Sequence, residues 1–185
     1  MPDVDKTPTV QPMTVHAPDF DQRYFRSALG RFATGVTIVT ARTAEGDPWG
    51  LTVSSFNAVS LDPPMVLWSL SQSASAMPHF LNAERYVIHV LSASQLSLAK
   101  RFSMGRQEDR FRGIQLKESP HGVPMLADPE TAAWFECFNH ARHPAGDHTI
   151  FVGQVERCSR RYGQPLVYHA GDFDLTPSIE PISDH

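Results

Sequence analysis

The sequence has few cysteines, no excess of basic residues and no long apolar run, and each shortage excludes a class of protein. Cys137 and Cys158 are the only cysteines in 185 residues and form no C-x-x-C pair, so neither a disulfide framework nor a thiol redox pair is expected. The 16 basic and 20 acidic residues give a net charge of -4, without the basic excess typical of nucleic-acid-binding domains. No apolar stretch approaches the roughly 20 residues that span a bilayer. These shortages predict a cytoplasmic chain that binds neither nucleic acid nor membrane.

The length favours a single domain between two tails. Residues 1–20 are rich in proline and lack a basic region followed by an apolar one, which predicts a flexible arm rather than a secretory signal. Residues 176–185 predict a second loose tail. The folded domain is therefore expected over residues 21–175.

Hydrophobic periodicity predicts mainly β structure with a few short helices. An apolar stripe over residues 21–35 predicts a helix that ends at Gly35. Residues 73–83 predict a short helix with a serine cap, and residues 94–104 predict a helix capped by Ser92 or Ser94. Residues 105–129 look irregular. Strands are expected over residues 36–42, 49–61, 65–71, 85–92 and 165–173, with 65–71 buried on both faces, and residues 132–143 and 148–161 predict a hairpin. The pattern predicts an antiparallel barrel with helical crossovers. It lacks the βαβ alternation and Gly-rich turn of a Rossmann fold.

One polar cluster is HARHPAGDHTIFVG, residues 140–153. Histidines and a carboxylate are good ligands for zinc or iron. However, His140 and His143 differ by an odd number on a strand, so their side chains are expected on opposite faces. A polar hairpin tip in solvent is the simpler alternative, and no metal site is predicted.

A second polar cluster consists of hydroxyls that lie within or just after two neighbouring strands: Thr52, Ser54, Ser55, Ser69, Ser71, Ser73 and Ser75. Neutral donors followed by a helix N-terminus suit a phosphate or a polar ring edge. Lys100 and Arg101 would add positive charge. Serines near turns also cap local backbone. Because no G-x-S-x-G elbow is present, the cluster favours a small-ligand cleft over a nucleophile site.

Several ordered blocks resemble the flavin reductase family with the FMN-binding split-barrel fold, the small component of two-component flavin monooxygenases. The blocks are FRSALGRFATGVTIVTA, GLTVSSFNAVSLDPPMVLWSLSQSAS, LAKRF, GDHTIFVGQV and PLVYHAGDF, which run from about Phe25 to Phe173. The resemblance implies a Greek-key type antiparallel split β-barrel and a homodimer. It also implies reduction of FMN or FAD with NADH or NADPH, and delivery of reduced flavin to a partner monooxygenase.

The resemblance also assigns site residues by position. The implied flavin contacts are Pro48, Trp49, Gly50, Leu51, Thr52, Ser54, Ser55, Ser69, Leu70, Ser71, Ser75, Ala76, Arg101 and Phe102. The implied pyridine-nucleotide contacts are Asp147, His148, Tyr168, His169, Ala170 and Gly171. His148 is expected to position the nicotinamide. Ala170 stands where many relatives carry arginine, which leaves open a choice between NADH and NADPH that depends on charge at this position.

Three other functions stay open at this point. A split barrel could hold flavin or haem without turnover, the histidine hairpin could support a metal-dependent hydrolase, and a pyridoxamine-phosphate-oxidase-like enzyme would share the barrel. The residues that would bind the substrate phosphate of that last enzyme are not evident in the sequence, which ranks it low.

Overall fold

A seven-stranded antiparallel sheet that curls into a barrel is the main feature of the computed structural model, which describes residues 16–175. The helices and strands are, in chain order, α1 (Gln22–Leu29), β1 (Thr34–Gly35), β2 (Thr37–Arg42), β3 (Pro48–Val53), β4 (Asn57–Leu61), β5 (Pro64–Ser71), α2 (Met77–Asn82), β6 (Arg85–Val90), a 3-10 turn (Ala93–Gln95), α3 (Leu96–Ser103), α4 (Gln107–Phe111), β7 (Leu116–Glu118), β8 (Pro124–Leu126), β9 (Ala133–Ala145), β10 (His148–Arg160), β11 (Leu166–His169) and β12 (Asp172–Leu175). Most of the predicted N-terminal arm (residues 1–15) and the whole predicted C-terminal tail (residues 176–185) lie outside the described residues.

The order of the strands brings the two edges of the large sheet together. The order is β3-β2-β6-β9-β10-β5-β4, so β3 and β4, which follow each other in the chain, are the two edge strands. Residues 54–56 join them, and β3 also contacts β5. We call this junction the seam of the barrel. Because β6 follows β5 in the chain but pairs with β2, the connection is of the Greek-key type. The predicted fold class is confirmed.

Two smaller sheets complete the fold. β1, β11 and β12 form a three-stranded sheet, and β7 pairs with β8. The β7–β8 pair is fixed to the barrel by the Thr40 hydroxyl, which donates to the Pro124 carbonyl at 2.6 Å. Among residues 16–175, no helix is long and apolar enough to cross a membrane.

The main core lies inside the barrel and is largely aromatic. Trp68 is fully buried, with Phe151 stacked at 4.6 Å between ring centroids and Phe80 and Tyr86 edge-on at 5.0 and 5.6 Å. A second cluster, which includes Phe102 on α3, packs between the barrel and β11. Burying rings of this size contributes much of the stability of a domain.

Three strand predictions are wrong in detail. The strand expected over residues 49–61 is two strands, β3 and β4, because the chain leaves one edge of the sheet and joins the other. The strand expected over 165–173 is the β11–β12 hairpin, turned by Ala170 and Gly171, whose φ angles are +52° and +88°. Strand β5 is not buried on both faces: its buried residues alternate with half-exposed ones, because its second face borders a cleft.

The helix predictions also need correction. α1 begins at its Asp21 cap, whose carboxylate accepts the Tyr24 N–H at 2.7 Å, but it ends at Gly30 rather than Gly35. α2 has Ala76 at its cap position and no side-chain cap. The predicted Ser92 cap is found, with Gln95 Oε1 accepting the Ser92 N–H at 3.0 Å. Residues 105–129 contain α4, β7 and β8 rather than an irregular segment.

Candidate functional site

A cleft of about 850 Å3 opens at the seam of the barrel. The seam residues Ser54 and Ser55 and the β5 residue Ser69 form one wall. The opposite wall comes from α1, β1 and the β11–β12 turn, including the predicted residues Tyr168, His169, Ala170 and Gly171. The structure therefore brings these seven predicted residues around one cavity.

Several polar groups of this main cleft have no protein partner. The Thr34 hydroxyl is buried and has no hydrogen-bond partner among the described residues. Within the same part of the chain, Ser54 and Asn57 are exposed with no hydrogen bond to their side chains. Since buried polar groups are usually paired, an unpaired hydroxyl in a cleft wall indicates a place where a ligand supplies the missing partner.

A second cleft of about 500 Å3 adjoins the first and shares Ser54, Tyr168 and Gly171 with it. The predicted residue Thr52 lines it, but its hydroxyl already donates to the Ala99 carbonyl at 2.7 Å. Lys100 also lines this cleft and places a positive charge beside the shared wall. Lys100 lines one of these two clefts, whereas Arg101 lines neither.

Ser55 holds the seam closed. Its hydroxyl donates to the Ser69 carbonyl at 3.0 Å and accepts the Ser69 N–H at 2.9 Å. The side chain thus satisfies both backbone groups of one β5 residue, as a neighbouring strand would. Its first role in the structure is to fix the cleft wall.

Replacing Ser55 by alanine is expected to lower the free energy of unfolding by about 1–2 kcal/mol, because two part-buried backbone groups lose their partner. Urea-induced unfolding measures this loss. Ser54→Ala is the matched control, since no hydrogen bond joins the Ser54 side chain to the described residues. Equal stability of the Ser55→Ala and Ser54→Ala proteins would contradict the assigned role of Ser55.

Other predicted flavin contacts are covered by protein. Gly50 lies under α3 and α4: a Cβ on it would be 3.0 Å from the Phe102 and Phe111 rings. Its N–H donates to Gln107 and its carbonyl accepts from Gln107 and Arg110. Phe102 is fully buried in the second core cluster. Neither Gly50 nor Phe102 lines either cleft.

The remaining β3 and β5 predictions divide between core and surface. Leu70 and Ala76 are buried in the main core, and Leu51 packs against it. The Trp49 ring contacts the His79 ring at a tilt of 32°, with 3.9 Å between ring centroids, and Pro48, half-buried, begins β3. The Arg101 guanidinium donates to the Asp109 and Arg112 carbonyls, which directs it toward α4. That these residues contact a flavin stays a prediction.

The predicted histidine stands at the tip of the β9–β10 hairpin, two residues beyond the main cleft. The Asp147 carboxylate accepts a hydrogen bond from His148 Nδ1 at 2.7 Å, which lowers the pKa of the Asp147 carboxyl. Ser71 pairs with His148, and Ser69 pairs with Ile150. Ser71 is two residues beyond Ser69 on β5, so both lie on the face that borders the cleft, and so does His148 opposite Ser71. This places His148 about 7 Å along the strands from the level of Ser69.

Gln72 and the serines beside it form the rim next to this tip. The Gln72 N–H donates to the Asp147 carbonyl at 2.9 Å, and the Ser71 and Ser73 hydroxyls are 2.9 Å apart. Ser75 is exposed. The predicted flavin contacts Ser71 and Ser75 therefore lie outside the walls of both clefts.

The metal alternative finds no support in residues 16–175, where no group of three or more His, Cys, Asp or Glu side chains could hold a metal ion. Simple strand alternation does not decide the faces of His140 and His143, because the β9–β10 register shifts between Val152 and Gly153, opposite His140. A bulge resets the alternation of side chains. The predicted hairpin itself is confirmed, with Gly146 and Asp147 at its turn.

Several residues of the main cleft have no direct signal in the sequence. Thr34, Arg26 and Asn57 line the main cleft but belong to no polar cluster in the sequence. The one available signal was the apolar stripe of α1, because the helix carries Tyr24, Phe25 and Leu29 yet buries none of its residues. An apolar but exposed helix indicates a surface that binds a ligand or another protein chain.

An antiparallel split barrel with a hydroxyl-lined cleft at its seam defines a small-ligand-binding protein. The chain belongs to the flavin reductase like domain family, which matches residues 29–176. The family predicted from the sequence is confirmed.

Two named relatives and one solved structure support the same family. FMN reductase (NADH) SmoA from Agrobacterium fabrum is 50% identical over 153 residues, 83% of this chain and 85% of that protein. HsaB, reductase subunit of a flavin-dependent monooxygenase from Rhodococcus jostii, is 36% identical over 168 residues, 90% of this chain and 83% of its own. The structure of the NADH:FAD oxidoreductase SgcE6 from Streptomyces globisporus, in complex with NAD and FAD fragments, superposes with a TM-score of 0.78 at 31% identity, covering 89% of this chain and 96% of that one.

Proposed function

We propose that the protein is an NAD(P)H:flavin oxidoreductase that reduces FMN or FAD in the cleft at the seam. The observation that carries this proposal is the unpartnered hydroxyl set of the main cleft, Thr34 and Ser54, in a chain of the flavin reductase like family. The names of the relatives, among them an FMN reductase (NADH), support the same function.

The residues of the clefts fit a flavin and a nicotinamide. The two adjoining cavities, about 850 and 500 Å3, are of the size that holds small organic ligands. Thr34 and Ser54 offer neutral hydrogen bonds for a polar ring edge, and Lys100 offers a positive charge. Tyr168 and Phe56 supply apolar surface in the wall against which a ring can pack.

The chemistry of the reaction is hydride transfer from the nicotinamide to the flavin, which the two cofactors supply themselves. The protein binds and orients the two rings and limits the access of water. Ser55 fixes the cleft wall through its two bonds to Ser69, and the free Ser54 hydroxyl would donate to a polar edge of a bound ring. Lys100, which lines the second cleft, would supply positive charge to a ring that gains electrons there.

The test is steady-state oxidation of NADH and NADPH in the presence of FMN, FAD or riboflavin, followed by the nicotinamide absorbance. We expect turnover that requires added flavin. Binding of flavin without oxidation of either pyridine nucleotide would overturn the proposal in favour of a non-catalytic flavin- or haem-binding split-barrel protein. The same matrix identifies the preferred flavin and reductant.

His148 is proposed as a positioning residue for the pyridine nucleotide. His148→Ala is expected to raise the KM for NADH or NADPH about tenfold, the effect of losing one well-placed hydrogen bond, with a smaller change in kcat. His143→Ala on the facing strand is the control, since that exposed residue borders neither cleft. Loss of flavin affinity with an unchanged KM for the pyridine nucleotide would disprove this role.

We also propose that the reduced flavin passes to a separate monooxygenase. One relative is named as the reductase subunit of a flavin-dependent monooxygenase, and the main cleft is open at the surface. A purified monooxygenase of that type should turn over when this protein, NADH and flavin are added, and should stay inactive if Ser54 and Thr34 are both replaced by bulky residues that fill the cleft.

A homodimer is the proposed assembly, and the apolar face of α1 supports it. Tyr24 and Leu29 on α1 are 70 and 59% exposed, and Phe32, which follows the helix, is 77% exposed, an unfavourable amount of apolar surface to leave in water. Light scattering is expected to give twice the mass of the chain.

A cytoplasmic location is proposed from the two free cysteines, Cys137 and Cys158, which a reducing compartment keeps as thiols.

A further inference from the structure

A small cavity beside α1 is lined by three arginines. Its volume is about 310 Å3, and Arg23, Arg26 and Arg31 share it with Ser27 and with Gly30, Ala170 and Gly171. Arg23 and Arg26 are three positions apart on α1, which puts them on one side of the helix. Arg31 follows the end of the helix.

The three guanidinium groups have no counter-ion among residues 16–175. Among the described residues, none of them makes a hydrogen bond or an ion pair, and no carboxylate lines the cavity. The nearby Asp21 and Asp172 carboxylates instead accept the backbone N–H groups of Tyr24 and Phe173. The cavity therefore concentrates positive charge in a chain whose net charge is -4.

The arginine cavity continues into the main cleft. Arg26, Gly30, Ala170 and Gly171 line both spaces, and the Ala170 N–H donates to the Gly30 carbonyl at 2.8 Å. Three of the four shared residues, Gly30, Ala170 and Gly171, are small, so Arg26 is the one long side chain that borders both spaces.

We propose that Arg23, Arg26 and Arg31 form an anion site for a phosphate or pyrophosphate group of the nucleotide bound in the main cleft. Guanidinium groups present paired N–H donors that match phosphate oxygens. Arg26 is central, because it borders both spaces. This site rests on the proposed function for the identity of the nucleotide, since flavin nucleotides and pyridine nucleotides both carry phosphates.

The first test measures binding without catalysis, with inorganic pyrophosphate as the probe in titration calorimetry. We expect the wild-type protein to bind pyrophosphate, more weakly at high salt, and Arg26→Gln and the double variant Arg23→Gln/Arg31→Gln to bind at least tenfold more weakly. Arg157→Gln removes the same charge from exposed β10 and should leave binding unchanged. Wild-type affinity in Arg26→Gln, or equal losses in Arg157→Gln, would overturn the site.

The second test identifies which nucleotide supplies the phosphate. If Arg26→Gln raises the KM for NADH and NADPH but not the KM for FMN, the site binds the pyridine nucleotide. If it raises the KM for FMN but not the KM for NADH and NADPH, the site binds the flavin. In both cases the KM for riboflavin, which carries no phosphate, should stay unchanged. No change in any KM overturns the proposal. If the wild-type protein oxidises no NADH or NADPH, the proposed function fails, and the pyrophosphate titration still decides the anion site. Unchanged thermal unfolding confirms that the variants fold, as α1 buries none of its residues.

Discussion

Gly153→Ala is expected to lower the free energy of unfolding by about 3 kcal/mol, at the upper end of the usual cost of overpacking a core. A Cβ at this position would lie 2.3 Å from the Tyr86 hydroxyl and 2.9 Å from the Cys137 Cβ. Tyr86 is fully buried against Trp68, so its ring has no free space to move into. Thermal unfolding should show a midpoint about 6–12 °C lower for a chain of this length.

Removing the Tyr86 hydroxyl, which the new Cβ would meet, should restore part of the stability that Gly153→Ala loses. The Tyr86 hydroxyl has no hydrogen-bond partner among the described residues, so Tyr86→Phe alone should change stability by less than about 1 kcal/mol. Gly153→Ala/Tyr86→Phe should then be more stable than Gly153→Ala, and the double-mutant cycle gives the coupling. Gly163→Ala is the matched control, because a Cβ there meets no atom within 4 Å. Equal stability of the Gly153→Ala and Gly163→Ala proteins would refute the packing described for β10.

Acidification below neutral pH is expected to destabilise the protein through His89, which is fully buried between β2 and the β7–β8 pair. Its Nδ1–H donates to the Ile38 carbonyl at 3.0 Å, and its Nε2 accepts the Leu126 N–H at 3.1 Å. The imidazole is therefore neutral, because a proton on Nε2 would oppose the Leu126 donor. Burial lowers the pKa of His89 from 6.5 to about 4.

The direction of the pH effect follows from this lowered pKa. Between pH 6.5 and about 4 the unfolded chain binds a proton at His89 and the folded protein does not, so stability falls as the pH falls through this window. The shift corresponds to a loss of about 3 kcal/mol once the pH is below 4. The full contribution of the neutral imidazole is present above pH 6.5.

Urea unfolding at pH 7.5 and at intervals down to pH 4 measures this dependence. His89→Phe removes the titration but leaves Ile38 and Leu126 without a partner, so it should be less stable at pH 7.5 and less dependent on pH. His140→Ala, an exposed residue of β9, should keep the wild-type profile. A wild-type profile in the His89→Phe protein as well would show that other groups cause the acid sensitivity.

The sequence predicted most strands, because alternating or β-branched runs such as those of β2, β6 and β10 depend on local pattern alone. Prediction failed where the position of a residue in the folded chain decides its burial or its backbone conformation. Leu67 is apolar and was expected in the core, yet it lines the main cleft. Ala170 adopts a positive φ that alanine rarely takes, so its residue type did not predict the turn between β11 and β12.

The sequence predicted the hydroxyl-bearing residues of the candidate site but not which other residues line the cleft. Ser54, Ser55 and Ser69 share the main cleft because two sheet edges meet, and only the folded strand order brings them together. Gly50 and Phe102 match the family by position, but Gly50 lies under α3 and α4 and Phe102 is buried in the second core cluster. Arg26 and Arg31 lie within one of the blocks that resemble the family, but their place beside the cleft depends on where the β11–β12 turn lies in the folded chain.

The three-residue junction between β3 and β4 has a consequence for how the chain tolerates change in length. Most surface loops accept insertions at small cost, because the entropy of closing a loop grows slowly with its length. Here the same three residues connect opposite edges of the sheet and carry Ser55, whose hydroxyl substitutes for a strand neighbour at Ser69. An added residue would shift Ser55 out of register with β5, and the barrel would lose its closure and its binding wall together.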